Sequence, residues 1–237
     1  MNAQQLSHRL TRVAHHVPED AVVADIGSDH AYLPCYLVLN GIAAKAVAGE
    51  VVKGPFESAQ KQVQQEGLTG QIDVRLASGL DAIHPEDGIT VVTIAGMGGP
   101  LICSILEQGK DRLAGVERMI LQPNVHAKSI RDWATVNNWT ITGEEILKEN
   151  EKIYEILVLE KVQSPVLLTV QQLLMGPELL KDKTAIFREK WARETEQWKK
   201  IVASMESTAQ TMEIIEKKQE LIEKIQLVEE VLHRENS

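Results

Sequence analysis

Residues 21–30, Ala-Val-Val-Ala-Asp-Ile-Gly-Ser-Asp-His, are an apolar run that ends in an acid and then breaks at a glycine. Asp25 marks the passage from strand to loop, Gly27 lets the backbone turn closely past a ligand, and 31–40 reads as a helix whose amino end faces the same crevice. A second acid, Glu50, closes the next apolar run, 44–49. It stands about twenty residues past the glycine turn, where a carboxylate accepts hydrogen bonds from ribose hydroxyls. The pattern is that of a nucleoside-binding α/β domain; a tight turn in some other α/β protein is the competing reading of D-x-G alone.

The missing residues of the loop narrow the ligand. A dinucleotide calls for a G-x-G-x-x-G cradle around its pyrophosphate, and this chain has Gly27, Asp29 and Tyr32 at the three glycine places. Asp29 repels a phosphate. A ligand with ribose hydroxyls, a cationic centre and no phosphate suits the loop, and S-adenosylmethionine meets that description.

Composition sets the outer bounds. The chain has 237 residues, 43% apolar and 25% charged, enough for one sizeable core and an appendage. No run approaches the roughly 18 apolar residues of a membrane span, and the polar amino end is unlike a signal peptide, so no membrane association and a cytoplasmic location are expected. Cys35 and Cys103 fit neither a disulfide framework nor a metal-ligand spacing, and the seven histidines form no H-x-x-H grouping; no metal is expected. The net charge of −9 argues against a nucleic-acid binder that uses its whole surface. Residues 1–162 carry 14 basic and 21 acidic side chains, residues 163–237 carry 11 and 13, and within 181–200 seven basic side chains face four acidic ones. That stretch suits a polyanion, or else a solvated helix face of mixed charge.

Runs at 21–26, 44–51, 71–77, 88–95 and 117–122 alternate with helical patterns at 31–40, 53–66, 98–109 and 126–137, which predicts a parallel sheet covered on both faces. Two further runs, 139–147 and 152–160, are separated by too few residues for a crossover helix and must form an antiparallel hairpin. The resulting seven strands, five parallel and then a hairpin, resemble the Rossmann-like sheet of class I methyltransferases. Ser164 and Pro165 read as an N-cap and first-turn proline where sheet passes to helix. Beyond Pro177 there is neither Gly nor Pro, and Phe187, Trp191, Trp198, Val202 and Met205, then Leu221, Ile225, Val228 and Leu232, recur at coiled-coil spacing. Sixty residues of unbroken helix would project about 90 Å, so a reversal within 204–210 is expected, giving an antiparallel coiled-coil-like pair. The domains are 1–162, holding the cofactor, and 163–237, helical.

After the fourth strand comes Ala95-Gly96-Met97-Gly98-Gly99, three glycines in four residues at the binding edge of a doubly wound sheet. The D/N-P-P-Y/F motif of exocyclic-amine methyltransferases is absent there. Asn124, in Leu121-Gln122-Pro123-Asn124, is a neutral polar group that the fifth strand delivers to the same edge; turn chemistry is its other reading.

With Leu6-Ser7-His8-Arg9-Leu10 in front, the runs Ser28-Asp29-His30-Ala31-Tyr32, Gly49-Glu50-Val51, Ala77-Ser78-Gly79-Leu80, Ala95-Gly96-Met97-Gly98-Gly99 and Leu121-Gln122-Pro123-Asn124 resemble the bacterial TrmK family of tRNA adenine-22 N1-methyltransferases. The likeness runs from about residue 3 to 235. It implies S-adenosylmethionine as cofactor, tRNA as partner and N1 of an adenine as acceptor. It places Gly27, Ser28 and His30, with Asp25 beside them, along the methionine part of the cofactor. Glu50 falls at the ribose, Ser78, Gly79 and Leu80 at the adenine, and Ala95, Gly96, Met97 and Gly98 between donor and acceptor. Asp29 is the candidate for stabilising the methylated ring and taking its N6 proton, or alternatively caps the following helix. Arg9 suits a tRNA phosphate or the cofactor carboxylate, or is a plain surface arginine; Tyr32 stacks on the target base or packs in the core. A small-molecule or protein methyltransferase with an oligomerising tail, and a noncatalytic interaction protein, are the other readings; a monomer is favoured over an oligomer.

Overall fold

The computed structural model describes residues 2–164, 166–205 and 211–233. Seven strands form one sheet in the order β3-β2-β1-β4-β5-β7-β6: β1 (Ala21–Ile26), β2 (Ala43–Glu50), β3 (Ile72–Leu76), β4 (Val91–Gly98), β5 (Arg118–Val125), β6 (Trp139–Glu149) and β7 (Lys152–Lys161). The first five pair in parallel, β7 joins β5 antiparallel, and β6 lies outermost. The hairpin closes through Asn150 and Glu151 alone, at φ +49° and +62°. Two consecutive left-handed residues make the turn whose twist matches that of the flanking strands.

Alternation along the strands sorts side chains to two faces. Val23, Ile120 and Ile156 point into a layer closed by α1 (His8–His15), α2 (Tyr32–Leu39) and α3 (Lys53–Gln65). Ala24, Leu121 and Leu157 point the other way, under α4 (Gly99–Gln108) and α5 (Ala127–Val136). The parallel strands carry apolar residues on both faces because helices cover both. Helix α1 begins at Ser7, whose hydroxyl accepts the Leu10 N–H at 3.3 Å.

Three boundaries differ from the sequence expectation. β4 runs on to Gly98 and β5 to Val125, so Gly96 to Gly98 and Pro123 to Asn124 are strand ends rather than loops. Of the expected cap at Ser164 and Pro165, Pro165 lies outside the described residues. The helix that follows is α6 (Val170–Met175), capped instead by Thr169, whose hydroxyl accepts the Gln172 N–H while the Gln172 side chain accepts the Thr169 N–H.

Helices α7 (Ala185–Met205) and α8 (Met212–His233) pack together, with Phe187, Trp191, Trp198, Val228 and Val231 joining Ile146 of β6 in a third apolar cluster. Lys199, six residues before the end of α7, pairs with Glu229, seventeen past the start of α8, at 2.7 Å. A parallel arrangement would then need the link to span about 34 Å, beyond the roughly 24 Å that seven extended residues reach, so the pair is antiparallel. The predicted reversal falls largely on residues 206–210, outside those described.

The carboxyl-terminal helices are fastened to the sheet by a buried ionic cluster. Arg131 of α5 is completely buried, bonded to Glu144 of β6 at 2.6–2.7 Å, to Glu155 of β7 at 2.7 Å and to the Leu174 carbonyl of α6 at 3.2 Å. Glu144 also accepts the Glu178 N–H at 2.9 Å, and Lys190 of α7 pairs with Glu155. Burial lifts the Glu144 carboxyl above its ordinary range despite Arg131. Burial works the same way on Glu155, but Lys190 and Arg131 together hold it below that range. Gly176, at φ +98°, passes so close that a Cβ there would lie 2.5 Å from Glu144 Oε2.

Candidate active site

The carboxyl ends of the five parallel strands open one crevice. Its first wall is the turn after β1. Gly27 takes φ +70°, and its N–H, with that of Ser28, reaches the Gly49 carbonyl at 2.9 and 3.3 Å. Asp25 lies inside β1, buried, with both oxygens occupied: Ser28 Oγ and Thr93 Oγ1 each donate at 2.6 Å. Burial raises the Asp25 carboxyl and those two hydroxyls pull it back. Through these two hydroxyls it fastens the turn to β4.

Asp29, His30 and Ala31 follow at φ +41°, +51° and +54°, three successive side-chain-bearing residues in the left-handed region. Such a conformation costs of order 1–3 kcal/mol per residue and persists only where surroundings enforce it. Here the Glu50 carboxylate accepts the Asp29 N–H. Asp29 does not cap the helix: α2 starts after Ala31, which takes the cap position itself, with no side-chain cap bond. The carboxylate is 72% exposed, and His30 lies 3.4 Å from it. Glu50 is buried, and burial, with Asp25 and Asp29 adding to it, raises its carboxyl above the ordinary range.

The opposite wall is the end of β4 and β5. The ladder shifts register between Ala95 and Met97, leaving Gly96 bulged at φ +79°. Both of its backbone groups are met by side chains of β5: Gln122 Oε1 accepts the Gly96 N–H at 3.0 Å, and Asn124 Nδ2 donates to the Gly96 carbonyl at 2.7 Å. Gln122 is fully buried and also accepts from the Arg9 guanidinium. Arg9 stands over the Tyr154 ring at 5.2 Å, and its backbone N–H reaches Glu149 at 3.2 Å. The plain surface reading of Arg9 is therefore wrong; α1 is docked so that this cation meets the crevice floor.

Other expected residues divide. Ser78 and Gly79 sit at the crevice beyond β3, but the Leu80 side chain is buried in the core against Gly109, because a short 3-10 turn, Gly79–Ala82, rolls it inward. Only the Leu80 backbone remains for a ligand. The Met97 side chain lies on Gly27, joining the two walls. Gly99, the last of the glycine run, abuts the His126 carbonyl, where a Cβ would overlap it. Tyr32 stacks on His30 with centroids 5.3 Å apart. Sequence reasoning missed Gln122, Thr93, Tyr154 and the exposed apolar rim of Val51, Val52, Leu76, Leu101 and Val125. Cys35 and Cys103 are free thiols, pushed up to about 12 and about 11 by burial. Among the described residues no group of three side chains could hold a metal, and no helix is long and apolar enough to cross a membrane.

An acidic turn with no phosphate cradle on one side, apolar rim positions for a purine, and a polar floor on the other fit S-adenosylmethionine. The family model for tRNA (adenine(22)-N(1))-methyltransferase, TrmK, matches residues 23–230. A Bacillus subtilis tRNA (adenine(22)-N(1))-methyltransferase is 49% identical over 197 residues, 81% of this chain and 82% of that protein. Among solved structures, an uncharacterized protein from Listeria monocytogenes serotype 4b is 51% identical with a TM-score of 0.92, covering 96% of this chain and 100% of its own. A Streptococcus pneumoniae protein solved in complex with S-adenosyl-L-methionine is 44% identical with a TM-score of 0.87, covering 97% of this chain and 100% of its own. With its sheet order, its crevice and these relatives in agreement, the chain belongs to the TrmK family of tRNA (adenine(22)-N(1))-methyltransferases.

Proposed function

We propose that this protein transfers a methyl group from S-adenosylmethionine to N1 of adenine 22 in tRNA. The observation that carries the reading is family membership across nearly the whole chain. When bound, the cofactor supplies the methyl group on a sulfonium, already electrophilic. The protein's part is then placement of two reactants at near-attack distance, in a crevice that favours positive charge.

Gly27, Ser28 and His30 would hold the methionine part, Glu50 the ribose, and Val51 with the Ser78 to Leu80 backbone the adenine. Ala95 to Gly98 would separate donor from acceptor, and Arg9 would meet the cofactor carboxylate or a tRNA phosphate. N1 is engaged when adenine is paired, so the base must leave its stack before reaction. Asn124 donates its amide N–H to Gly96. Among the described residues its Oδ1 meets a long 3.5 Å contact from Gln122 and is available to accept a hydrogen bond from the N6 amino group of the target base. Exposed Asp29 would stabilise the cationic methylated ring and take the N6 proton from it.

The 1–162 unit would act as the catalytic domain and the 163–237 unit as a tRNA clamp, the enzyme working as a cytoplasmic monomer. The clamp offers less free positive charge than its sequence suggests, since Lys181, Lys190, Arg193, Lys199 and Lys200 each pair with a carboxylate. Charge reversal at exposed Lys199 and Lys200 should weaken RNA binding without touching cofactor affinity; unaltered RNA affinity would reject the clamp. For the activity itself, unmodified tRNA transcripts with and without an adenine at position 22 should be incubated with labelled cofactor, digested and analysed by mass spectrometry. N1-methyladenosine from the first transcript only supports the reading, and equal labelling of both, or of neither, rejects it.

A further inference from the structure

We propose that Gln122 is the positioning residue of the methyl-transfer reaction. Its buried carboxamide ties Arg9 to bulged Gly96 and so fixes the direction in which Asn124 presents its oxygen. The inference rests on methyl transfer occurring at this edge.

The orientation of the amide is over-determined. A backbone N–H and a guanidinium are donors only, so the two groups that meet Gln122, Gly96 N–H at 3.0 Å and Arg9 Nη1, both require its oxygen. Its Nε2 is thereby turned to the Pro123 carbonyl, 2.8 Å away, and to the edge of Asn124 Oδ1 at 3.5 Å. Gln122 and Asn124 are two residues apart on one strand and share a face, so both side chains grip the same bulge from the same side. One takes the Gly96 N–H and the other gives to the Gly96 carbonyl, so the two peptide units that flank Gly96 are each held by a side chain, and a rotation of the fully buried Gln122 carboxamide would set its N–H donors against those of Gly96 and Arg9.

Arg9 brings the amino-terminal helix into the same linkage. Among the described residues it has no carboxylate within ion-pair distance of its guanidinium, which rests on Tyr154 and points its bond at Gln122. The placement of α1 is therefore transmitted to Asn124 through one side chain. Strand ladders cannot do this, because the bulge interrupts them at Gly96.

Full-length Gln122→Met, Gln122→Glu, Arg9→Ala and the double variant Arg9→Ala/Gln122→Met should be compared with the wild type for kcat and KM on tRNA, cofactor affinity by calorimetry, and melting temperature. Gln122→Met, nearly isosteric but apolar, should lose about 100-fold in kcat, the scale of a misplacement near 1 Å, with cofactor affinity changed less than about threefold. Gln122→Glu keeps an acceptor for both donors and, as the protonated acid in this buried place, an O–H for the Pro123 carbonyl, and should retain at least about a tenth of wild-type kcat. The double variant should be no slower than the slower single variant, as for groups that act as a unit. A Gln122→Met enzyme within about threefold of wild-type kcat, or losses that multiply in the double variant, would overturn the proposal. Should Gln122→Met not fold, Gln122→Glu decides alone, and a loss larger than about tenfold there overturns it. A wild-type protein that methylates no tRNA refutes the function instead, which full activity in Gln122→Met does not.

Discussion

Replacing Arg131 by methionine should destabilise the protein through what it leaves behind. The guanidinium is wholly buried and is shared by Glu144 and Glu155, whose side chains are 0% and 2% exposed. Without it, Glu155 keeps Lys190, while Glu144 keeps only the Glu178 and Leu179 backbone donors. Removing one partner of a buried ionic cluster costs about 3–5 kcal/mol. For a chain of this size, at about 2–4 °C per kcal/mol, the melting temperature should fall by about 6–20 °C. The sign of the pH dependence is fixed as well. Glu144, already raised by burial, rises further without its cation. The folded variant then binds a proton at pH values where the unfolded chain, with a glutamate near 4.3, does not. Its deficit should shrink as pH is lowered from 8 towards 5 and widen as pH rises. Urea unfolding followed by tryptophan fluorescence across that range measures both effects. In Arg131→Met/Glu144→Leu/Glu155→Leu/Lys190→Met most of the loss should return, since apolar replacement of a whole buried cluster is often neutral. A single variant within about 1 kcal/mol of wild type, or a deficit indifferent to pH, would refute the reasoning.

Glu50 should make cofactor binding sensitive to acid: its carboxyl is raised by burial, the ribose needs it ionised, and calorimetric affinity should weaken as pH drops through that raised titration, while the cofactor-free protein gains stability over the same range. Glu50→Gln should flatten the affinity profile. Within the glycine run, Gly99→Ala should cost about 3 kcal/mol or more in denaturant unfolding, because its Cβ meets the His126 backbone, whereas Gly98→Ala, with nearest atoms at 3.9 and 4.0 Å, should cost under about 1 kcal/mol; equal effects would contradict the packing described. Asp29→Asn should lower turnover by about 100-fold or more with the melting temperature within about 1 °C, since the carboxylate caps no helix, and a large melting shift would reject that placement.

Apolar runs bounded by Gly, Asn and Asp made the sheet legible, including the hairpin, because burial on both faces of parallel strands leaves a continuous signal. Gly27 and Gly96 were visible because left-handed backbone at strand ends favours glycine, and Glu50 because it is an acid closing an apolar run. What escaped was long-range polar pairing. Gln122 meets Arg9 across 113 residues, and neither has a periodicity or neighbour that announces the other. Arg131 reads in sequence as one more charge on an amphipathic helix, although its two carboxylates and Lys190 come from three other elements. Asp29 was misjudged as a possible cap because residue preference says nothing of a left-handed run between it and the helix. Leu80 was assigned to the ligand because closeness to a strand end was visible, and the inward turn that buries its side chain was not.

The left-handed run at Asp29, His30 and Ala31 bears on how this protein can be improved. Selection for heat resistance would reach Asp29 and His30 early, since glycine at either relieves local tension at little expense to the core, whereas Ala31 is buried in it. The hardiest descendants would then be those whose turn has relaxed, and they should grip the cofactor less firmly than their parent.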